Sequence, residues 1–391
     1  MIDEAWALKD GKAVLLALDW AKAFDSVSPD AMARALKRFG VPEPFVDMIR
    51  AIYTARKFLV RDAGSTSGWH PQHYGICQGC PLSPFLFVLV MTVLLHDAKE
   101  KVATQSDDYV AVLPELLVRD LVYADDTLIV DVESSGAQSF MEAIGEAGME
   151  YGLSFNWSKL EALPVRMQAA IFKEDGALVQ TKDSIIYLGS MLSSDGRIGP
   201  ELGRRIGLAQ CDFKSLQRVW SHSQLSQAQK LRIFDACVVA KLVYGIFTAT
   251  LNQAERRRID GFHARCLRRI IRVPPAYVSR VSNASVMKMS GQRLRLSQQI
   301  LNQQMIYMGQ IARRDCEDPV RDAVFLPATI ELRPLPGPRR RGRPRTEWAK
   351  TVHDACLRAA GSPQLLRDFF KPGPVAERAW KAAVRSQGMQ L

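Results

Sequence analysis

The chain has 391 residues, 47% apolar and 24% charged, with a formal net charge of +11. The composition is that of a folded chain of two or three domains, and it excludes an intrinsically disordered or collagen-like one. The longest apolar run, Pro84 to Leu95, is too short to cross a bilayer, and Asp3 and Glu4 precede any apolar stretch, so neither a membrane span nor a secretory signal is expected.

In chain order, Ala13 to Leu18 (AVLLAL) reads as a buried strand that ends in Asp19. A carboxylate at the end of such a strand is held rigidly. Phe24 follows five residues on. Ser28 and Pro29 predict a helix start, with helical periodicity over 30–39 and 43–57. Phe58–Asp62 and Trp69–Ile76 predict two short strands around the Gly64–Gly68 turn. The block GICQGCPLSPFLFVLVMTVLL begins at Gly75. Gln78 and Gly79 form its turn, Ser83 is the expected N-cap, and Phe85 to Leu95 is the body of a buried helix.

Residues 117 to 132, LVRDLVYADDTLIVDV, predict a hairpin. Its strands are Leu117–Val122 and Thr127–Val132, and Tyr123, Ala124, Asp125 and Asp126 join them. Ser134 and Ser135 are expected to cap a helix that runs to about Tyr151 and stops at Gly152. In GLSFNWSKLEALPV, Asn156 marks a turn and Lys159 enters a strand; Ile185 to Met191 predicts another strand. Beyond residue 198 the pattern turns helical, over 198–220, 226–244, 253–271 and 292–313, with Ser226 and Gln229 set for a capping box. Residues 332–344, LRPLPGPRRRGRP, predict irregular structure, and 347–360 a helical tail.

Charge follows the same division. Residues 1–199 carry 18 Lys and Arg against 27 Asp and Glu; residues 200–391 carry 34 against 14. An acidic half that suits metal ions is joined to a basic half that suits nucleic acid. Seven cysteines at irregular spacing predict no disulfide framework and a reducing compartment, nuclear or cytoplasmic. His70, His73, Cys77 and Cys80 are zinc-ligand types, but their spacing fits no standard zinc framework.

The adjacent carboxylates Asp125 and Asp126 repel each other, and a divalent cation is the simplest compensation, although Asp is also a common turn residue. If the strand ending at Asp19 neighbours this hairpin, three carboxylates converge. That is a site for two Mg2+ ions about 4 Å apart, with Mn2+ the alternative, and the chemistry is nucleotidyl transfer. Lys159 then suits charge neutralisation or proton donation at a departing pyrophosphate, against the bland reading of a solvated lysine. Phe24 suits a stacking role under an incoming sugar, against that of an ordinary core phenylalanine.

LALDWAKAFDSV, GICQGCPLSPFLF, LVYADDTLIV, GLSFNWSKLE and IIYLGSMLSSDG, in this order and spacing, resemble the reverse transcriptase palm, in wording most like the non-LTR (LINE-type) retrotransposon group. RRIGLAQCDFKSLQRVW, KLVYG, ARCLRRII and RRRGRPRTEW resemble the regions that follow the palm there. The resemblance implies an α/β (α+β) polymerase palm with an antiparallel sheet over 1–197. A helical thumb would follow over 198–325, then a basic linker over 326–346 and a helical tail over 347–391. It implies an RNA-directed DNA polymerase acting on an RNA template, a DNA primer and dNTPs. Asp19, Asp125 and Asp126 would be its metal ligands and Lys159 its general acid. Phe24, Gln78 and Gly79 would line the nucleotide pocket, Tyr123 and Ala124 would lie by the primer terminus, and Leu188 and Gly189 would form the primer grip. The family's fingers and endonuclease are expected to lie in a longer element. The alternative is an inactive retroelement remnant that only binds nucleic acid. Arg341-Gly342-Arg343-Pro344 resembles the core of a minor-groove hook, beside the plainer reading of a basic linker.

Overall fold

The computed structural model describes residues 2–105, 120–291, 293–342 and 345–387. Residues 117–119 of the predicted hairpin, Gln292 at a predicted helix start, and Arg343 and Pro344 of the basic stretch lie outside the described residues. Two units are present: Met1–Ala5 with Gly11–Leu188, and Trp6–Asp10 with Gly189–Leu391.

The first unit is built on β1 (Ala13–Leu18), the middle strand of a five-stranded sheet. Val14, Leu16 and Leu18 enter the main core, and Leu15 is buried as well, so the run is apolar on both faces as a covered strand must be. The other strands are β2 (Asp120–Tyr123), β3 (Asp126–Asp131), β4 (Glu161–Val165) and β5 (Gln180–Thr181), in the order β2-β3-β1-β4-β5. All neighbours are antiparallel except β4 and β5. Leu18 lies opposite Thr127 on β3, and Ala17 opposite Glu161 on β4.

The helices of this unit are α1 (Ala23–Ser26), α2 (Pro29–Phe39), α3 (Glu43–Tyr53), α4 (Ser83–Gln105) and α5 (Ser134–Glu150). Phe87, Val90 and Leu94 of α4 and Phe140 and Ile144 of α5 share one core with Val14 and Leu16. Ser28 caps α2 as expected, with Pro29 in the first turn. Three expected boundaries differ. Ser83 is the first residue of α4, and its hydroxyl donates back to the Cys77 carbonyl instead of capping. Glu133, not a serine, is the N-cap of α5, and the Asp131 carboxylate takes the Glu133 N–H at 3.0 Å. α3 stops at Tyr53 because the backbone of Thr54 is already extended, and Ala55 then turns to φ 51°. Between 57 and 71 the strands shrink to two short ladders, Lys57–Phe58 with His70–Pro71 and Arg61–Asp62 with Ser65–Thr66.

The predicted strand over 185–191 is interrupted. β6 (Ser184–Tyr187) and β7 (Ser190–Ser193) flank Leu188 at φ 47° and Gly189 at φ 71°, outside the range of an extended strand.

The second unit is helical: α6 (Gly199–Ser215), α7 (Gln217–Ser221), α8 (Gln227–Phe234), α9 (Gln253–Ile270), α10 (Asn283–Met289), α11 (Leu296–Ala312), α12 (Trp348–Ala360) and α13 (Pro374–Gln387) are its main elements. The Ser226–Gln229 capping box forms as expected, and Asn252 and Glu255 form a second one before α9. The helix predicted over 226–244 continues past α8 through a π-helical turn, Asp235–Val239. Cores form around Phe234, Phe262 and Leu267, and around Met308, Cys356 and Trp380.

Residues 326–346 carry no helix among the described residues. Part of that stretch pairs with the chain's start. Leu8 bridges Arg339, Lys9 N–H donates to the Pro338 carbonyl at 2.9 Å, and Arg340 N–H donates to the Ala7 carbonyl at 2.8 Å. The Arg340 and Arg345 guanidinium groups lie 5.6 and 4.8 Å from the Trp6 ring centre. No helix among the described residues is long and apolar enough to cross a membrane.

Candidate active site

The hairpin between β2 and β3 is as tight as a hairpin can be. Tyr123 pairs with Asp126, which leaves Ala124 and Asp125 as a two-residue turn. Ala124 holds φ 55°, a position that glycine ordinarily fills in such turns. An L-residue there costs about 1 kcal/mol or more of local strain. Asp126 opens β3. The ladder ends with Leu18 opposite Thr127, so Asp19 and Asp126 are the next residues along the two strands. Burial, then Asp125 and Asp19, pushes the Asp126 carboxyl above its usual range.

Lys159 reaches the same edge through a zipped turn. Ala21 N–H donates to the Ser154 carbonyl at 2.8 Å, Trp20 bridges Phe155, and Asn156 N–H donates to the Asp19 carbonyl at 2.8 Å. Lys159 N–H closes the turn on Asn156, and its ammonium sits 3.3 Å from Asp19 Oδ2. That carboxylate oxygen is buried and receives no hydrogen bond.

The structure therefore brings together Asp19, Asp126 and Lys159, with Asp125 in the adjoining turn. The three aspartates do not close to within 4.8 Å of one another; among the described residues the trio that does is His96, Asp97 and Glu100, whose Asp97 is bound by Arg38. Three carboxylates with one ammonium among them hold one another apart by repulsion. They are the hard oxygen donors that divalent cations take, and Asp19 Oδ2, buried with the Lys159 ammonium near it but no hydrogen bond, fits such an ion. His70, His73, Cys77 and Cys80 form no such group.

A second group surrounds Phe24. Its ring stacks on Phe87 at 4.3 Å and 17°, and it is half-buried. The loop before α4 is stitched along the same segment: Gly75 N–H donates to the Val27 carbonyl at 2.8 Å and Ile76 N–H to the Phe24 carbonyl at 2.6 Å. Gln78 donates to Asp25 Oδ1 at 3.1 Å, and exposed Gly79 turns at φ 85° with open space where a side chain would lie.

Tyr123 is 68% exposed at the hairpin. Behind it stands a residue the motif reading passed over. The Tyr187 hydroxyl donates to the Leu121 carbonyl at 2.7 Å, and burial, with Asp126 and Asp120, pushes its pKa up to about 12. Leu188 and Gly189 follow it directly. The Gly189 carbonyl accepts from Arg204 at 2.7 Å and from Arg205, and both arginines are bound by buried Glu201. Tyr187 left a signal in its place beside Leu188-Gly189; Glu201 left one in arginines three and four residues on.

A sheet whose central strand and neighbouring hairpin bring carboxylates to one edge, with a lysine at that edge, defines the class of nucleic-acid polymerase palms. Residues 3–192, just under half of the chain, match the family model described as reverse transcriptase (RNA-dependent DNA polymerase). Reverse transcriptases work with divalent metal ions. The chain is similar to the Pol polyprotein of the type-2 retrotransposable element R2DM of Drosophila melanogaster, 25% identical over 66% of this chain and 24% of that protein. It is similar also to a Pol polyprotein of a type-1 element R2 of Popillia japonica, 24% identical over 66% of this chain and 42% of that one. The chain thus spans less than half the length of these relatives. A telomerase from Candida albicans, solved with a fragment of telomeric RNA, aligns with a TM-score of 0.35 at 14% identity over 75% of this chain and 47% of that one.

Proposed function

We propose that the chain is an RNA-directed DNA polymerase that transfers nucleotides from dNTPs onto the 3′ end of a DNA primer, templated by RNA. The observation that carries the reading is that the ladder ends with Leu18 opposite Thr127, so that Asp19 and Asp125 act on the Asp126 carboxyl and Lys159 pairs with Asp19. Asp19, Asp125 and Asp126 would hold two Mg2+ ions, with Mn2+ the alternative. Such ions supply Lewis-acid charge to the attacking hydroxyl and the leaving oxygens of an in-line displacement.

The remaining work falls to the chain's own groups. Lys159 exchanges its partner Asp19 for the triphosphate, where it neutralises charge and delivers a proton to the departing pyrophosphate. Phe24, backed by Phe87, supports the incoming sugar, and Gln78 and Gly79 border the nucleotide. Tyr123 and Ala124 meet the primer terminus on a hairpin that Tyr187 braces. Leu188 and Gly189 grip the primer strand. The basic residues beyond 198 act as a thumb on the template–primer backbone.

Primer extension on an RNA template tests this. Extension by the natural chain, abolished in Asp125→Ala/Asp126→Ala, is the expected result. Absence of extension in both, with salt-sensitive binding retained in both, would leave a remnant that only binds nucleic acid.

A further inference from the structure

The second unit contains a trough to which the thumb reading assigns no more than a share of the general basic charge beyond residue 198. It has a volume of about 970 Å3 and runs beside the C-terminal half of α9, and a second hollow of about 340 Å3 shares Arg265, Arg269, Gln217 and Trp220 with it. Among the described residues, no carboxylate lines either hollow. Arg265 and Arg269 stand one helical turn apart on α9, exposed, and among the described residues neither forms an ion pair; Lys214 on α6, in the second hollow, is likewise exposed and has no ion-pair partner among them. Like charges at this spacing destabilise a helix and have no compensation within the trough. A polyanion supplies it.

The other two arginines of this face differ in kind: Arg272 is exposed and donates to the Ser221 carbonyl at 3.3 Å. Arg268 is buried and donates to the carbonyls of Pro274 at 3.1 Å and Val281 at 2.6 Å, so it shapes the wall rather than offering charge. The segment it holds, between Pro274 and Val281, includes the short helix Ala276–Ser279, whose Tyr277 lines the trough yet remains 79% exposed. A flat aromatic side chain left in water beside free arginines offers a stacking face, and only an unpaired base presents the matching face. A duplex keeps its bases stacked on each other and would meet the arginines without Tyr277.

We propose that this trough binds a single-stranded nucleic-acid segment, with Lys214, Arg265 and Arg269 on its phosphates and Tyr277 stacked on an unpaired base. The site lies wholly within the second unit and does not depend on polymerase activity.

The test is fluorescence anisotropy of the full chain with dye-labelled unpaired RNA and DNA strands of about ten nucleotides, and with a blunt duplex, without dNTPs or divalent ions. Tyr277→Ala should weaken both single strands about tenfold, leave the duplex unchanged and keep the salt dependence. Arg265→Ala/Arg269→Ala should weaken single strands and lower the slope of log affinity against log salt by about 1.4, the value for two phosphates. Arg265→Lys/Arg269→Lys should restore most of the loss, which separates lost charge from lost fold. Arg358→Ala/Arg367→Ala, an equal loss of exposed charge elsewhere, is the control. The proposal fails if Tyr277→Ala weakens duplex and single strand alike, if it weakens neither, or if the control matches the α9 pair.

Discussion

Lys159 is the residue whose chemistry can be divided most cleanly. Its ammonium is the cation beside Asp19, and both side chains are partly open to solvent. Lys159→Ala should lower the extension rate by about 100-fold or more, as loss of a general acid does, with little change in melting temperature. Lys159→Arg separates two roles, since arginine keeps the charge but does not give up a proton near neutral pH. Recovery of rate in the arginine variant would assign charge neutralisation alone; continued loss would assign proton delivery. His263 tests stability in the same residue-by-residue way. It is buried, neither ring nitrogen has a hydrogen-bond partner, its ring stacks on Phe234 at 5.8 Å, and burial pushes its pKa down to about 4. The unfolded chain takes a proton near pH 6.5 and the folded chain only near 4, so stability falls as pH drops through that window. The loss is about 3 kcal/mol. Denaturant midpoints at pH 7 and 4.5 measure it, and His263→Phe should flatten the difference.

At the scale of elements, the loop before α4 lies close against the short helix α1. A Cβ on Gly75 would come within 2.8 Å of the Asp25 backbone, and its φ is 90°. Gly75→Ala should therefore destabilise the first unit by about 2 kcal/mol or more and weaken nucleotide use, because the loop that carries Gln78 is displaced. In the second unit, Glu201 is buried with Arg205, and together with Arg204 they fix the Gly189 carbonyl. Glu201→Gln leaves buried guanidinium charge uncompensated and should cost about 3 kcal/mol in thermal or denaturant unfolding. Both effects come from positions where local sequence gives partial information. β1 and β3 were readable because their apolar runs are long and their ends carry the carboxylates. The positive φ of Ala124 and Leu188 was not, because neither residue type announces it. Ser83 and Ser134 read as caps, but a cap depends on which carbonyl or N–H lies within reach, and tertiary partners decided otherwise. Asp25 was passed over since its partner, Gln78, is 53 residues away.

For the whole molecule, the uneven charge distribution predicts how binding responds to salt. Affinity for a template–primer should fall by about 0.7–0.9 log units per log unit of salt for each phosphate neutralised, and charge reversals in residues 200–391 should change that slope while those in residues 1–199 should not. A slope insensitive to the basic half would place the contacts elsewhere. The basic stretch near 340 was legible as charge but not as structure. Arg340 and Arg345 lie over Trp6, and Arg339 pairs with Glu347 at 3.0 Å, so three of its arginines already have partners. No local pattern marks a pairing between Leu8 and Arg339.

That pairing also decides how the chain can be divided. Trp6–Asp10 belong to the second unit while the residues on either side of them belong to the first, so the polypeptide passes between units three times. A cut after Leu188 therefore leaves Trp6–Asp10 of the second unit on the first fragment, and a second fragment with bare backbone at Pro338 and Arg340. Produced separately, each should be poorly soluble; produced together, they should assemble without a covalent link, and Trp6→Ala should weaken that assembly.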